Sequence, residues 1–126
     1  MILELFYAKI SAINYAAGTA SVTLGEREGQ VITGVPFLSL CYEMPEIGET
    51  VAVIFNDTQG EVGRGVILGT IFTKANPPGE SGKGIFYKQF SDGASVKYDP
   101  SDQSMEITAK KIVVDEVEYG KATQKG

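Results

Sequence analysis

Ser104-Met105-Glu106-Ile107-Thr108-Ala109-Lys110-Lys111-Ile112-Val113-Val114 alternates apolar and polar side chains over most of its length. Successive side chains of a strand point to opposite faces, so Met105, Ile107 and Ala109, then Ile112 and Val114, fall on one apolar face, opposed by Glu106, Thr108 and Lys110. The same alternation precedes it, where Val96 and Tyr98 flank Lys97. Ser91-Asp92-Gly93 and Asp99-Pro100-Ser101-Asp102 have the composition of turns, and they divide the region into short strands expected at residues 85–90, 94–98, 104–109 and 111–117. Roughly 40 residues of short strands neither close a barrel nor cover their own apolar face, so stacking against further copies of the chain is expected. Val96, Tyr98, Met105, Ile107, Ala109, Ile112 and Val114 are the residues expected to face that shared interior.

Upstream the period is again two, with Ala20, Val22 and Leu24 alternating with Ser21 and Thr23. Fifteen glycines and five prolines interrupt any 3.6-residue pattern before it reaches a useful helix length, and an all-β chain is predicted. Residues 3–13 and 19–24 read as a hairpin about Asn14-Tyr15-Ala16-Ala17-Gly18. A third strand is expected over residues 30–40, where Pro36 removes a ladder donor and favours a bend or a sheet edge. Thr50-Val51-Ala52-Val53-Ile54-Phe55 is apolar on both faces, as in a closed barrel or under a partner. A loop over 56–63 and a strand over 64–72 complete about five strands, the inventory of an OB barrel. Residues 74–84, with Asn76-Pro77-Pro78-Gly79, read as a linker and place a domain boundary there.

A chain of 126 residues suits one compact domain with an appendage. The net charge of -5 and the pI near 4.7 argue against a partner gripped through phosphate contacts and against an anionic membrane surface. Cys41 is the only cysteine and there is no histidine, so an intramolecular disulfide is impossible and thiol catalysis lacks its usual base. A buried structural role is expected for Cys41, since free cysteines are among the most buried residues. The first residues lack the basic start and cleavage site of a secretory signal, and no uncharged run approaches the ~20 residues of a membrane span. Synthesis in the cytoplasm, with exit by lysis or a dedicated machine, is the expectation.

Gly79-Glu80-Ser81-Gly82-Lys83-Gly84 fails as a phosphate-binding loop, because Pro77 and Gly84 stand where the motif requires Gly and Ser or Thr. Gly60-Glu61-Val62-Gly63-Arg64-Gly65 lacks the order and strand-to-helix context of a dinucleotide fingerprint. The carboxylates mostly fall at expected turns or solvent faces, as at Asp57, Asp92, Asp99 and Asp102, which is the ordinary state of a solvated acid and not of a tuned catalytic pair. With oxygen ligands alone and no EF-hand spacing, no metal is assigned. No catalytic residue and no cofactor is expected.

Order along the chain adds a resemblance. Pro45-Glu46-Ile47-Gly48-Glu49-Thr50-Val51-Ala52-Val53-Ile54-Phe55 and Gly65-Val66-Ile67-Leu68-Gly69-Thr70-Ile71-Phe72 are similar to two segments of the baseplate assembly protein V family. That family is the spike group of contractile phage tails, related to the type VI secretion spike. Ala8-Lys9-Ile10-Ser11-Ala12-Ile13 with Gly18-Thr19-Ala20-Ser21-Val22-Thr23-Leu24 resembles its opening hairpin, and Asp92-Gly93-Ala94-Ser95-Val96-Lys97-Tyr98-Asp99 resembles the start of its shaft. The resemblance implies an OB-fold barrel at 1–73, a linker at 74–84, an intertwined three-chain β-helical shaft at 85–120 and a polar tail at 121–126. It further implies a homotrimer that pierces a cell envelope, is mounted on tail hub and baseplate proteins, and belongs to a virion or an extracellular phage-tail-like particle. The polar tail would fray or meet a separate tip protein. Larger relatives carry a lysozyme-like domain for which this chain has no room. The histidine-held iron of some relatives has no counterpart here.

Two other readings compete. One is an OB-fold module binding glycan or single-stranded nucleic acid, with Tyr42, Phe55 and Phe86 as stacking platforms. The other is an enzyme on cell-wall polymer using paired carboxylates.

Overall fold

The computed structural model describes residues 2–58 and 61–115, and for residues 2, 57, 58 and 61–63 the backbone alone. The chain divides into two compact units, at Pro77/Pro78. Unit 1 holds β1 (Ile2–Asn14), β2 (Thr19–Leu24), a 3-10 turn at Gly25–Arg27, β3 (Gln30–Pro36), β4 (Thr50–Thr58) and β5 (Glu61–Thr70). Unit 2 holds β6 (Phe86–Gln89), β7 (Ser95–Asp99) and β8 (Ser104–Thr108). The described chain is all-β, as the alternation predicts.

The five strands of unit 1 form one antiparallel sheet in the order β3-β2-β1-β4-β5, curled into a half-barrel. β1 is the central strand, and its two halves have different partners. Residues 2–9 pair with β4, from Ile2 opposite Asp57 to Lys9 opposite Thr50. Residues 9–14 pair with β2, from Lys9 opposite Thr23 to Asn14 opposite Thr19. Register shifts at Ile10/Ala12, Ala20/Val22, Ala52/Val53 and Phe55/Asp57 bend these strands, because an extra residue on one side of a ladder kinks it and increases its twist. The curl lets one face enclose its own core: Phe6, Ala8 and Ile10 from β1, Ala20, Val22 and Leu24 from β2, Val35 from β3, Val51, Val53 and Phe55 from β4, and Ile67 from β5 are all buried. Phe6 and Phe55 meet edge to face at 6.0 Å. Arg27 covers Phe6, its guanidinium 5.4 Å from the ring centroid and 3.5 Å from the Glu4 carboxylate.

The two edge strands approach each other at one end. Phe37 bridges Ile67 in parallel, and the Leu38 N–H donates to the Ile67 carbonyl at 3.2 Å. Farther along, β3 and β5 separate around a cleft of about 480 Å³, walled by Gly34, Val35, Arg64 and Gly65 over the side of Phe55. The β1–β2 turn closes through the Gly18 N–H on the Asn14 carbonyl (3.0 Å) and the Ala17 N–H on Asn14 Oδ1 (3.1 Å), with Gly18 at φ +68°, where a side chain is disfavoured.

Several boundaries differ from the sequence expectation. β3 ends at Pro36 instead of running to 40, opposite Thr19 where its partner β2 begins, and it is indeed an edge strand, where the missing proline N–H is tolerated. β4 and β5 extend into the expected 56–63 loop, through Thr58 and from Glu61, because cross-strand pairing continues where local composition alone suggested a turn. No strand forms over 111–115, and residues 116–117 of that expected strand lie outside the described residues, as does the 121–126 tail. Ala109-Lys110-Lys111 contains none of the Gly, Asn or Asp that would fold the chain back, so 111–115 does not return to the outer edge of β8. Cys41 is exposed, in contrast to the buried role expected of it, because it sits in the connection between β3 and β4 and not in a ladder.

Gly65 lies directly opposite Phe55, whose ring crosses the space a side chain at 65 would take. A Cβ there would collide with the ring edge and stand 2.8 Å from the Ile54 carbonyl oxygen. Gly65→Ala is therefore expected to destabilise unit 1 by about 1–3 kcal/mol, the usual cost of overpacking. Gly25→Ala, at a site with nothing within 4 Å of the added carbon, is expected to stay within about 0.5 kcal/mol. Urea midpoints of the two variants check the difference.

Candidate functional site

Unit 2 is a three-stranded antiparallel meander in the order β6-β7-β8. Its register fixes which side chains share a face. Phe86, Tyr98 and Met105 form one cross-strand row, and Lys88, Val96 and Ile107 form the next. The other face carries the rows Tyr87, Lys97, Glu106 and Gln89, Ser95, Thr108, with Asp99 opposite Ser104. One face is thus polar and the other predominantly apolar, with Lys88 at its β6 edge holding its ammonium 5.5 Å from the Phe90 ring centroid.

The polar face and the turns are locally satisfied. Glu80 reaches Lys97 Nζ at 3.0 Å, and this hydrogen bond, with the nearby Glu80, Glu106 and Asp99 charges, raises the Lys97 pKa above its ordinary value. That stabilisation is complete below the unfolded lysine pKa and is lost as pH rises through the raised folded value. Gly79 lies against the Tyr87 ring and Gly84 against Pro100, so the 78–85 segment packs on unit 2 through positions that have no room for a side chain. The β6–β7 turn closes through Phe90 and Ala94, with Asp92 Oδ1 accepting from the Ala94 N–H at 3.0 Å. Between β7 and β8, Asp99 Oδ1 accepts from the Ser101 N–H and hydroxyl at 2.9 and 2.7 Å. Asp102 Oδ1 does the same for Ser104 at 3.1 and 2.7 Å. Asp92, Asp99 and Asp102 are therefore turn-forming acceptors, which is more than the solvated role their sequence positions suggest.

Among the described residues of unit 2, the apolar face lacks any such cover. Phe86, Met105 and Ile107 are 58%, 63% and 49% exposed, and Val96 and Tyr98 are half-buried. Of the seven residues expected to share an interior, four meet on this face: Val96 opposite Ile107, and Tyr98 opposite Met105. Ala109 follows the end of β8. Ile112 and Val114 lie in the unpaired segment beyond it, exposed with Val113 at 53%, 58% and 77%, and no ladder joins them to the other four. Sequence reading left Phe86 and Phe90 out of this apolar set. The signal was present in Phe86 and Lys88 at strand spacing, but the β6–β7 register is needed to align them with Tyr98 and Val96.

Phe55 is 1% exposed, sealed in the core of unit 1, which removes it as a stacking platform for a ligand. Tyr42 is exposed, and its hydroxyl donates to the Tyr15 carbonyl at 3.0 Å. Among the described residues no cluster of His, Cys, Asp or Glu is arranged to hold a metal ion, and no helix is long and apolar enough to cross a membrane. Comparison of the sequence with protein-family models and with curated proteins gives no match.

The two aspartates between β7 and β8 each hold two hydrogen bonds through one oxygen. Asp99→Ala and Asp102→Ala are each expected to lower the stability of unit 2 by roughly 1–2 kcal/mol, since neutral bonds contribute about 1 kcal/mol and bonds to charged acceptors somewhat more. Denaturant titration followed by tyrosine fluorescence reads this out, and Ser91→Ala serves as the near-neutral comparison.

Proposed function

We propose that this protein is a homotrimeric structural spike, the puncturing needle and baseplate component of a contractile phage tail or phage-tail-like particle. The observation that carries the reading is the face of unit 2 where Phe86, Val96, Tyr98, Met105 and Ile107 stand in register, half-buried or exposed, with no cover among the described residues. A single-layer sheet must bury its apolar face against another layer. Three copies of the same sheet around one axis supply that layer, and the seven residues named from the sequence become the shaft interior. The segment 109–115, which pairs with no described strand, fits the same arrangement, because an extended segment can add to the edge of a neighbour's sheet.

Unit 1 is the barrel that mounts the shaft. Its strand order, with the end of β3 meeting β5 in parallel, supports an OB-type closure in which β3 and β5 become neighbours. On this reading its partners are the tail hub and baseplate above it, the target envelope below, and a separate tip protein at the polar end, with no nucleic acid among them. Its place is the virion or an extracellular tail-like particle. The work is mechanical and not catalytic: interwoven chains with a shared dry core expose few sheet edges and unfold slowly, which is what a driven needle requires.

Native mass measurement of the purified chain is expected to give three copies per particle. Ile107→Asp would set three carboxylates near one axis, and burying like charges without partners costs several kcal/mol. That variant is expected to be monomeric with unit 1 still folded. A wild-type monomer, or a trimer indifferent to Ile107→Asp, would remove the proposed shaft. A monomer that binds an oligosaccharide, or binds an oligonucleotide tightly and in a salt-sensitive way, would favour the binding-module reading instead.

A further inference from the structure

The parallel contact between β3 and β5 is made at Phe37 and Ile67 and goes no further toward the cleft. At that rung the Leu38 N–H donates to the Ile67 carbonyl at 3.2 Å. Backbone groups along a strand change sides with a period of two, and the β4–β5 register runs unbroken from Ile67 to Gly65. Gly65 therefore turns its N–H and carbonyl to the same side as Ile67, toward β3. Two residues back along both strands, the donor that corresponds to Leu38 is residue 36. Residue 36 is proline and has no N–H to give, and among the described residues no backbone hydrogen bond joins Gly65 to β3. Gly34 then leaves the extended conformation at φ +68°. The cleft of about 480 Å³ opens where the next rung would have formed.

The walls of this cleft specify its occupant. Its size lies within the roughly 300–1,000 Å³ range of ligand sites. Gly34 and Gly65 both line it, and glycine inside a strand marks a place where another backbone comes close. A side chain on Gly34 would meet nothing within 4 Å, while the Phe55 ring fills the space a side chain on Gly65 would take, so both walls present bare backbone. Val35 and Phe55 make the floor apolar. Arg64 stands exposed at the rim on the opposite face of β5 from Gly65, with no acidic partner among the described residues. An edge carbonyl and N–H over an apolar floor are matched by an extended peptide, which takes its affinity from main-chain bonds and its specificity from alternate side chains.

We infer that the edge of β5 at Gly65 binds an extended peptide segment of a partner protein, which enters the cleft as an added strand. A backbone N–H of that segment supplies the bond to the Gly65 carbonyl that Pro36 cannot. Residues opposite each other on paired strands share a face, so the side chain beside Gly65 turns inward over Val35 and Phe55 and is apolar. The side chain next to it lies beside Arg64 and is acidic, since charge complementarity selects the partner there. The inference goes beyond the spike reading and does not depend on how many copies the particle holds.

Panning a displayed library of random linear octapeptides on the full-length chain tests it, with the enriched sequences then synthesised. The expected binders alternate apolar and polar residues, carry Asp or Glu, and slow hydrogen exchange of the Gly65 amide. Methylating one bridging backbone nitrogen of such a peptide leaves an acceptor bare and is expected to weaken binding about tenfold. Arg64→Glu, at an exposed position, is expected to weaken it to a similar degree, and a peptide with Lys in place of its acid is expected to recover affinity for that variant. The urea midpoint of Arg64→Glu checks that the fold is kept, and the methylated peptide tests the site on the unaltered protein. A library that enriches nothing would overturn the inference. So would binders that leave Gly65 exchange unchanged, or that are indifferent both to methylation and to Arg64→Glu.

Discussion

A sheet one layer thick cannot keep water off both of its faces, and unit 2 is one layer thick. Three strands of four or five residues give it a polar face satisfied by Glu80 with Lys97 and by the aspartate-held turns, and an apolar face that nothing among the described residues covers. Unit 1 meets the same constraint by a different route. Its strands are long enough to bend, and the register shifts allow one face of the sheet to close on itself around Phe6, Phe55 and Ile67. Length therefore decides which unit can bury its face alone.

The strength of the local contacts in unit 2 sharpens that contrast. Its turns are closed by side-chain acceptors, and glycines at 79 and 84 let the incoming segment lie directly on Tyr87 and Pro100. The sheet is therefore held in shape by contacts along its margins and not by a core beneath it. A surface prepared in this way loses little freedom on association, which reduces the cost of binding. The proposed spike makes use of such a surface, since its shaft would be assembled from rigid, pre-shaped sheets.

Much of the fold can be read from residue pattern. Alternation at Ala20/Val22/Leu24 and at Met105/Ile107 identifies strands, and in unit 1 also their buried side, because a period of two survives wherever one face is buried. Asn14 to Gly18 and Ser91 to Gly93 mark turns through their local chemistry. Features set by distant partners were harder to see. The extension of β4 and β5 depends on their pairing with each other, so composition around Asn56 gave no sign of it. The exposure of Cys41 follows from its position between strands, against the general habit of cysteine. The alternation at Ile112 and Val114 is strand-like, yet the segment pairs with no described strand, because joining the edge of β8 needs, as well as a pattern, a turn that Ala109-Lys110-Lys111 does not provide. The apolar face of unit 2 was legible in part: Val96, Tyr98, Met105 and Ile107 appear in the sequence, but only the register adds Phe86 to their row.

The double duty of β1 has a consequence for how the molecule comes into being during synthesis. Within unit 1 the central strand is made before its partners, and Ile2 must wait for Asp57 before its ladder can form. Contacts this distant along the chain form slowly, whereas the β6-β7-β8 meander joins only neighbours and can form quickly. Unit 2 therefore matures soon after it emerges, and unit 1, made before it, spends longer with its central strand not fully paired. During that interval the amino-terminal residues Leu3, Leu5 and Tyr7 form the stretch most in need of protection from aggregation.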